Sequence, residues 1–303
     1  MGIFSIILTI LGLSLFEVTG SVDNAIINAQ VLSSMQQKAK KWFLTWGIFS
    51  SVFLVRGVLP WLIIWLTTPS LGPVGALTAT FSSNPLVHQA ILRSSPLLFM
   101  GGGIFLVLLF LNWLFLEEKN YGVKGEEFIY SQGIWFYALA SLFLTGIIYI
   151  AIKVDPLLAL AATVGSSAFF LTHGFKENAQ KSEKRLINKV SSDLSKILFL
   201  EIIDATFSID EVLGAFAFTL SVPLILIGNG IGAVVVRQLT VSNIEKIKKY
   251  IYLENGAMYS IFFLGIIMLL NSFGFLIPEW FSPIVTFLVV GYFFLKSRAV
   301  SAN

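Results

Sequence analysis

The sequence predicts an all-α polytopic membrane protein, and three observations carry that prediction. Hydrophobic residues fill 56% of the 303 positions and charged residues only 12%, against about 25% charged in a soluble domain. Apolar runs near the roughly 20 residues that a membrane-spanning helix needs recur along the whole chain. Lysine and arginine collect in alternate connections between those runs, the asymmetry that orients membrane proteins.

Taken in order, the runs predict spans over 3–33, 42–66, 86–116, 133–152, 155–173, 196–221, 223–240, 253–274 and 280–297, about nine, with seven or eight also open. The first is long enough to be tilted or broken. It has no basic residue before its apolar run and it contains Glu17, so it reads as a retained span and not as a signal peptide. Spans four and five meet at Lys153-Val154-Asp155-Pro156, and spans six and seven at Ser221-Val222-Pro223. Proline disfavours helix at the residue before it, so both are read as tight turns. The Pro-, Gly-, Ser- and Thr-rich 67–85 segment reads as a loop or re-entrant piece, and the basic 174–195 segment as a cytoplasmic linker. Residues 1–116 form a first membrane repeat, 117–195 the connecting helices and linker, and 196–303 a second, inverted repeat.

Orientation follows from Lys38, Lys40 and Lys41, Lys119 and Lys124, the 176–189 cluster, Arg237 to Lys249, and Lys296 with Arg298. All follow odd-numbered spans, which puts the N-terminus outside and the C-terminus in the cytoplasm of a plasma (bacterial inner) membrane. No basic helix or aromatic-basic stripe stands outside the spans, so nucleic acid is not an expected partner. The absence of cysteine removes disulfides, thiolate ligands and cysteine nucleophiles. The expected partners are the bilayer and a metal ion substrate, and homo-oligomerisation stays open.

The chemistry lies in two acidic motifs inside spans. Glu17-Val18-Thr19-Gly20-Ser21-Val22-Asp23-Asn24 recurs, at a constant offset of 187 positions, as Asp204-Ala205-Thr206-Phe207-Ser208-Ile209-Asp210-Glu211. An acid at the centre of a transmembrane helix costs roughly 2.5–3.5 kcal/mol on insertion scales, so a repeat of the acids demands a reason. Span one and span six cross in opposite directions, as an inverted repeat requires. Gly47 and Arg56 are nine apart in span two, as are Gly228 and Arg237 in span seven.

Glu17, Ser21, Asn24 and Asn28 share one helical stripe, as do Glu201, Asp204, Ser208 and Glu211. Asp23 and Asp210 join those stripes only if the helix breaks nearby, and Thr19-Gly20-Ser21 offers a break. Carboxylates, amides, hydroxyls and carbonyls make an all-oxygen set suited to Mg²⁺, Ca²⁺ or Mn²⁺. The candidate metal residues are therefore Glu17, Asp23, Asn24, Glu201, Asp204, Asp210 and Glu211. The plain alternative is that these acids bond to Arg56 or to other helices. Six acids against Arg56 and Arg237 leave protons or a cation to complete the balance. Asp23 and Asp210, at equivalent places in the two copies, are expected to share one site. Of the rest, Glu254 reads as a helix N-terminal acid, His173 as a helix C-cap, Glu117, Glu118, Glu126 and Glu127 as solvated, and Gly228-Asn229-Gly230-Ile231-Gly232 as a close helix contact.

Glu17 with Ser21-Val22-Asp23-Asn24-Ala25, the Arg56 span, Asp204 with Ser208-Ile209-Asp210, and Tyr252-Leu253-Glu254-Asn255-Gly256 resemble the TerC family of integral membrane proteins, within it the branch catalogued as a domain of unknown function. The resemblance implies a fold related to LysE-type exporters, built from inverted three-helix units. It further implies divalent metal export, manganese above all, with a link to tellurium resistance. Carried over by position, Glu17, Asp23, Asn24, Asp204 and Asp210 would be the metal-site residues, while Glu211 stands where the first motif has Asn24.

The expected function is export of a hard divalent cation, Mn²⁺ first, in exchange for protons, with no organic cofactor. The alternative is a non-transporting membrane factor that assists membrane protein assembly or a metal or tellurium stress response. An enzyme is not expected: no Gly-x-Gly-Asp motif is present, and only His88 and His173 could act as histidine bases.

Overall fold

Long apolar runs with few breakers can satisfy their backbone in lipid only as helices. The computed structural model, which describes residues 2–47, 56–78, 85–187, 192–242 and 249–301, shows helices joined by short connections, with no strand among those residues. The elements are α1 (Ile3–Gly20), α2 (Val22–Ser33), α3 (Gln37–Trp42) leading into a π-helical turn Phe43–Gly47, α4 (Arg56–Thr67) and α5 (Gly72–Thr78). They continue with α6 (Pro85–Leu116), α7 (Glu126–Ser131), α8 (Phe136–Val154), α9 (Pro156–Ile187) and α10 (Asp193–Ala215). The chain closes with α11 (Val222–Ser242), α12 (Leu253–Ser272) and α13 (Phe281–Ser301).

Among the described residues six helices are long and apolar enough to cross a membrane: α1, α6, α8, α9, α12 and α13. A seventh crossing results if α4 and the piece after it count as one span, although they meet at 103°, the broken or re-entrant shape expected around 67–85. Two of the nine apolar runs fall short for physical reasons. Helix α10 carries Asp193, Lys196, Glu201, Asp204, Asp210 and Glu211 along 23 residues. The apolar part of α11, Val222–Gln238, is short.

The predicted breaks appear. Helix α1 ends at Gly20, and Ser21, at φ −89° and ψ 6°, separates it from α2. Asp155 turns the chain between α8 and α9 in extended geometry, as the following Pro156 requires. Helix α9 differs from expectation. It runs unbroken to Ile187, and its 32 residues reach about 48 Å at 1.5 Å each. His173 therefore lies within a helix and caps none.

Helix α6 is the axis of the bundle. It packs against α12 on one side and α9 on another, and Met100, Ile104, Leu106 and Leu108 are wholly buried on it. Lipid tails give helices no hydrophobic reason to associate, so close backbone approach matters. A Cβ on Gly165 of α9 would stand 2.1 Å from the Gly101 carbonyl oxygen of α6. The α1–α11 pair is made the same way: a Cβ on Gly228 would come within 2.5 Å of the Leu13 Cβ, and one on Gly232 within 2.5 Å of the Glu17 Cβ. That contact puts Glu17 in the protein interior. Charged α10 is wrapped by α1, α2, α4, α6, α9 and α12, so its acids meet protein and not lipid.

Candidate functional site

Helices α1 and α10 bring their acids to one cation on α4. The Arg56 guanidinium, at the start of α4 and 2% exposed, lies 2.7 Å from Glu17 Oε1, 2.7 Å from Glu211 Oε2 and 3.6 Å from Asp204 Oδ2. The Ser21 hydroxyl sits between the two glutamates, 3.1 Å from Glu17 Oε1 and in close contact with Glu211 Oε1. The helix break between α1 and α2 places that serine. Glu17 Oε2 is buried with no hydrogen-bond partner among the described residues.

Asp210 goes elsewhere. One residue before Glu211, it points about 100° away around α10, and its Oδ2 takes the Lys176 ammonium of α9 in an ion pair. Its Oδ1 is buried with no partner among the described residues. Both acids line a cavity of about 500 Å³ between α1, α6, α9, α10 and α12. Glu117, Glu118, Glu177 and Glu254 also line it, as does Asn112, 1% exposed, whose Oδ1 likewise has no partner among the described residues. His173 lines the same cavity, 3.5 Å from Glu177 and stacked on Phe169.

The predicted site residues thus divide. Glu17, Asp204 and Glu211 converge on Arg56, and Asp210 pairs with Lys176. Glu201 lies against Gly47, its Oε1 2.7 Å from where a Cβ there would stand. The side chains of Asp23 and Asn24 fall outside the described residues, so the shared Asp23–Asp210 site does too. Among the described residues no three acids or histidines stand together as a metal ion would need. Among the described residues of this region acid is nevertheless in excess: Glu17, Glu201, Asp204, Asp210 and Glu211 stand against Arg56, Lys176, Lys196 and Arg237, of which Lys196 donates to the Ser34 carbonyl at 3.0 Å and Arg237 to the Phe43 carbonyl at 2.8 Å.

A second polar cluster closes one end of the bundle and corrects the reading of Glu126 as solvated. Glu126 is 1% exposed. It accepts from the Gly122 N–H at 2.6 Å, the Tyr259 hydroxyl at 2.9 Å and the Asn255 amide at 3.2 Å. Asn255 also holds the Asn120 carbonyl at 2.9 Å, so the 117–125 connection is pinned to α12. Glu254, at the N-terminus of α12 as expected, accepts from the Trp113 indole at 2.6 Å. Beside it Lys119 donates to the Leu114 carbonyl at 2.9 Å, and burial pulls its ammonium below the usual lysine value against the pull of Glu126 and Glu117.

The family described as "Protein of unknown function (DUF475)" matches residues 22–303, nearly the whole chain. The chain belongs to that family. No curated protein and no solved structure matches it, so the function of this DUF475 chain is argued from its site. Sequence reasoning missed Lys176, counted as a loop lysine, and Asn112. A lone asparagine in Phe110-Leu111-Asn112-Trp113-Leu114 was a usable signal, because polar groups inside spans are costly and functional.

Proposed function

We propose that this DUF475 protein is a secondary transporter that exports a hard divalent cation, Mn²⁺ first, in exchange for protons. One observation carries the reading: a cavity of about 500 Å³, bordered by Glu117, Glu118, Glu177 and Glu254, reaches the buried acids Asp210 and Glu211. Carboxylates along a low-dielectric cleft raise the local concentration of cations. Buried acid in excess of its paired cations favours a proton or a metal ion that balances it. Oxygen ligands dominate the cavity lining, from Asp210, Glu211, Glu117, Glu118, Glu177, Glu254 and Asn112 beside the His173 imidazole, which suits Mn²⁺, Mg²⁺ or Ca²⁺ above softer metals. The resemblance to the TerC family favours manganese and an inverted-repeat architecture, and the approach of α1 and α10 to one arginine is consistent with two related halves.

The test is flux. Purified protein in liposomes loaded with a Mn²⁺-sensitive dye is given a pH gradient, and Mn²⁺ movement is followed with and without it. The expected result is gradient-dependent flux that is lost in Asp210→Asn. Flux of no divalent ion under either condition, from protein that elutes as a single folded species, would sink the reading.

A further inference from the structure

We infer that Lys176 is a built-in competitor of the transported cation: its ammonium occupies the Asp210 carboxylate and must leave it when a cation arrives from the cavity. The inference rests on the transport reading and adds how the site is emptied. Three features of the cavity floor lead to it. The Lys176 ammonium satisfies only Oδ2 of Asp210, while Oδ1 stays buried with no partner among the described residues. Asn112 Oδ1, on α6 and lining the same cavity, is a second buried acceptor in that condition. Glu211 follows Asp210 on α10 and lines the cavity too. Two buried oxygens without a partner among the described residues, in a cavity lined by further carboxylates, are an environment that a more highly charged cation completes better than a lysine does.

The residue type fits the role. Lysine is a point charge on a flexible four-carbon stem, whereas arginine is a planar fork that resists displacement. Arg56, with acids from α1 and α10 around it, is held in place. Lys176 lies where α9 runs on to Ile187, so a change of side-chain rotamer moves the charge while the helix stays. Glu177, one residue on and also lining the cavity, offers the displaced ammonium a neighbouring acid. A divalent ion that replaces the ammonium adds one positive charge beside Asp210 and Glu211. When the ion leaves, Lys176 returns and prevents its rebinding.

The alternative is a plain ion pair that holds α9 to α10, and affinity separates the two. Full-length protein, its Lys176→Met form and its Lys176→Arg form are purified in nanodiscs, and binding of ⁵⁴Mn²⁺ is measured by equilibrium dialysis. Removing the competitor should tighten binding about tenfold (about 1.4 kcal/mol) in Lys176→Met, and the harder-to-displace guanidinium should weaken it by a similar factor in Lys176→Arg. In liposomes Lys176→Met should also release Mn²⁺ more slowly. Wild-type binding with Lys176→Met no tighter overturns this inference and leaves the transport reading standing. Binding in neither protein overturns both. Should Lys176→Met fail to fold, Lys176→Arg decides: weaker binding supports the competitor, and unchanged affinity overturns it.

Discussion

The two acidic motifs align residue for residue at an offset of 187, yet their equivalent atoms do different work. Glu17, wholly buried, touches Arg56 at 2.7 Å, while its counterpart Asp204 keeps a 14% exposed side chain and stands 3.6 Å from the same guanidinium. Ser21 turns its hydroxyl to the carboxylates of Glu17 and Glu211. Ser208 spends its hydroxyl on the Asp204 carbonyl of its own helix, at 2.6 Å. The local backbone separates them. The first copy is interrupted at Ser21, between α1 and α2, whereas α10 runs unbroken from Asp193 to Ala215. A sequence repeat places charge, and the geometry of the helix decides what the charge meets.

The largest expected effect comes from the group both copies share. Arg56→Met removes the cation of a buried cluster and leaves Glu17, Glu211 and Asp204 facing one another. Loss of one partner from such a cluster costs about 3–5 kcal/mol. Melting of the purified variant, read by fluorescence-detected size exclusion, should show a large drop or no folded protein. A near-wild-type melting temperature would mean that the acids carry protons and need no arginine, which would dissolve the comparison at its root.

Next comes the contrast between the acids themselves. Glu17→Ala should cost about 1.5–3 kcal/mol, the range for a hydrogen bond to a charged partner. Asp204→Ala should cost less than about 1 kcal/mol, as a longer and partly exposed pair does. Equal losses, measured by the same melting assay, would show that the copies are symmetric in energy despite the different distances.

How much of this could be read from the sequence follows from the same contrast. Helical class, the acid-bearing stretches, the break after Gly20 and the Asp155-Pro156 turn were legible, because each rests on a local rule about breakers or periodicity. What Asp210 meets was not. Its partner Lys176 is 34 positions away on another helix and looks in sequence like one more basic residue after a span. The burial of Glu126 was hidden for the same reason, since Asn255 and Tyr259 reach it from α12. The nine-span reading and its seven-span alternative part where α10 imitates a span: apolar residues run through most of Asp193–Ala215, but its six charged side chains need a protein sheath that hydropathy cannot foresee.

A smaller effect should separate the two serines. Ser21→Ala deletes a hydroxyl between two buried carboxyl groups, and hydrogen bonds between membrane helices are worth roughly 0.6 kcal/mol and at most about 1.7. Ser208→Ala deletes a bond to its own helix that slightly disfavours the helix, so it should be neutral or mildly stabilising. A double-mutant cycle of Ser21→Ala with Glu211→Gln should show coupling, and the cycle of Ser208→Ala with Glu211→Gln none. Coupling of the same size in both cycles would break the distinction.

The smallest effect tests what makes the first copy bend. Glycine is the obvious suspect, because Gly20 precedes the break and the second copy has Phe207 at that place. The geometry argues otherwise. Gly20 is the last residue of α1, its φ is not positive, and a Cβ built on it would meet only the Glu211 Cγ and Oε1, both at 3.8 Å, an ordinary contact. The backbone bonds also continue across the break: the Ser21 N–H reaches Glu17 O at 3.0 Å and the Ala25 N–H reaches Ser21 O at 2.9 Å. The pull of Ser21 toward the Glu17 and Glu211 carboxylates is then the better cause. Gly20→Ala should raise stability by about 0.5–1 kcal/mol, the gain in helix propensity and in unfolded-state entropy when no clash opposes it. Its melting temperature should rise by a degree or more while the Ser21–Glu211 coupling stays as in the wild type. A fall in melting temperature together with loss of that coupling would show that the glycine sets the break, and that the serine follows it.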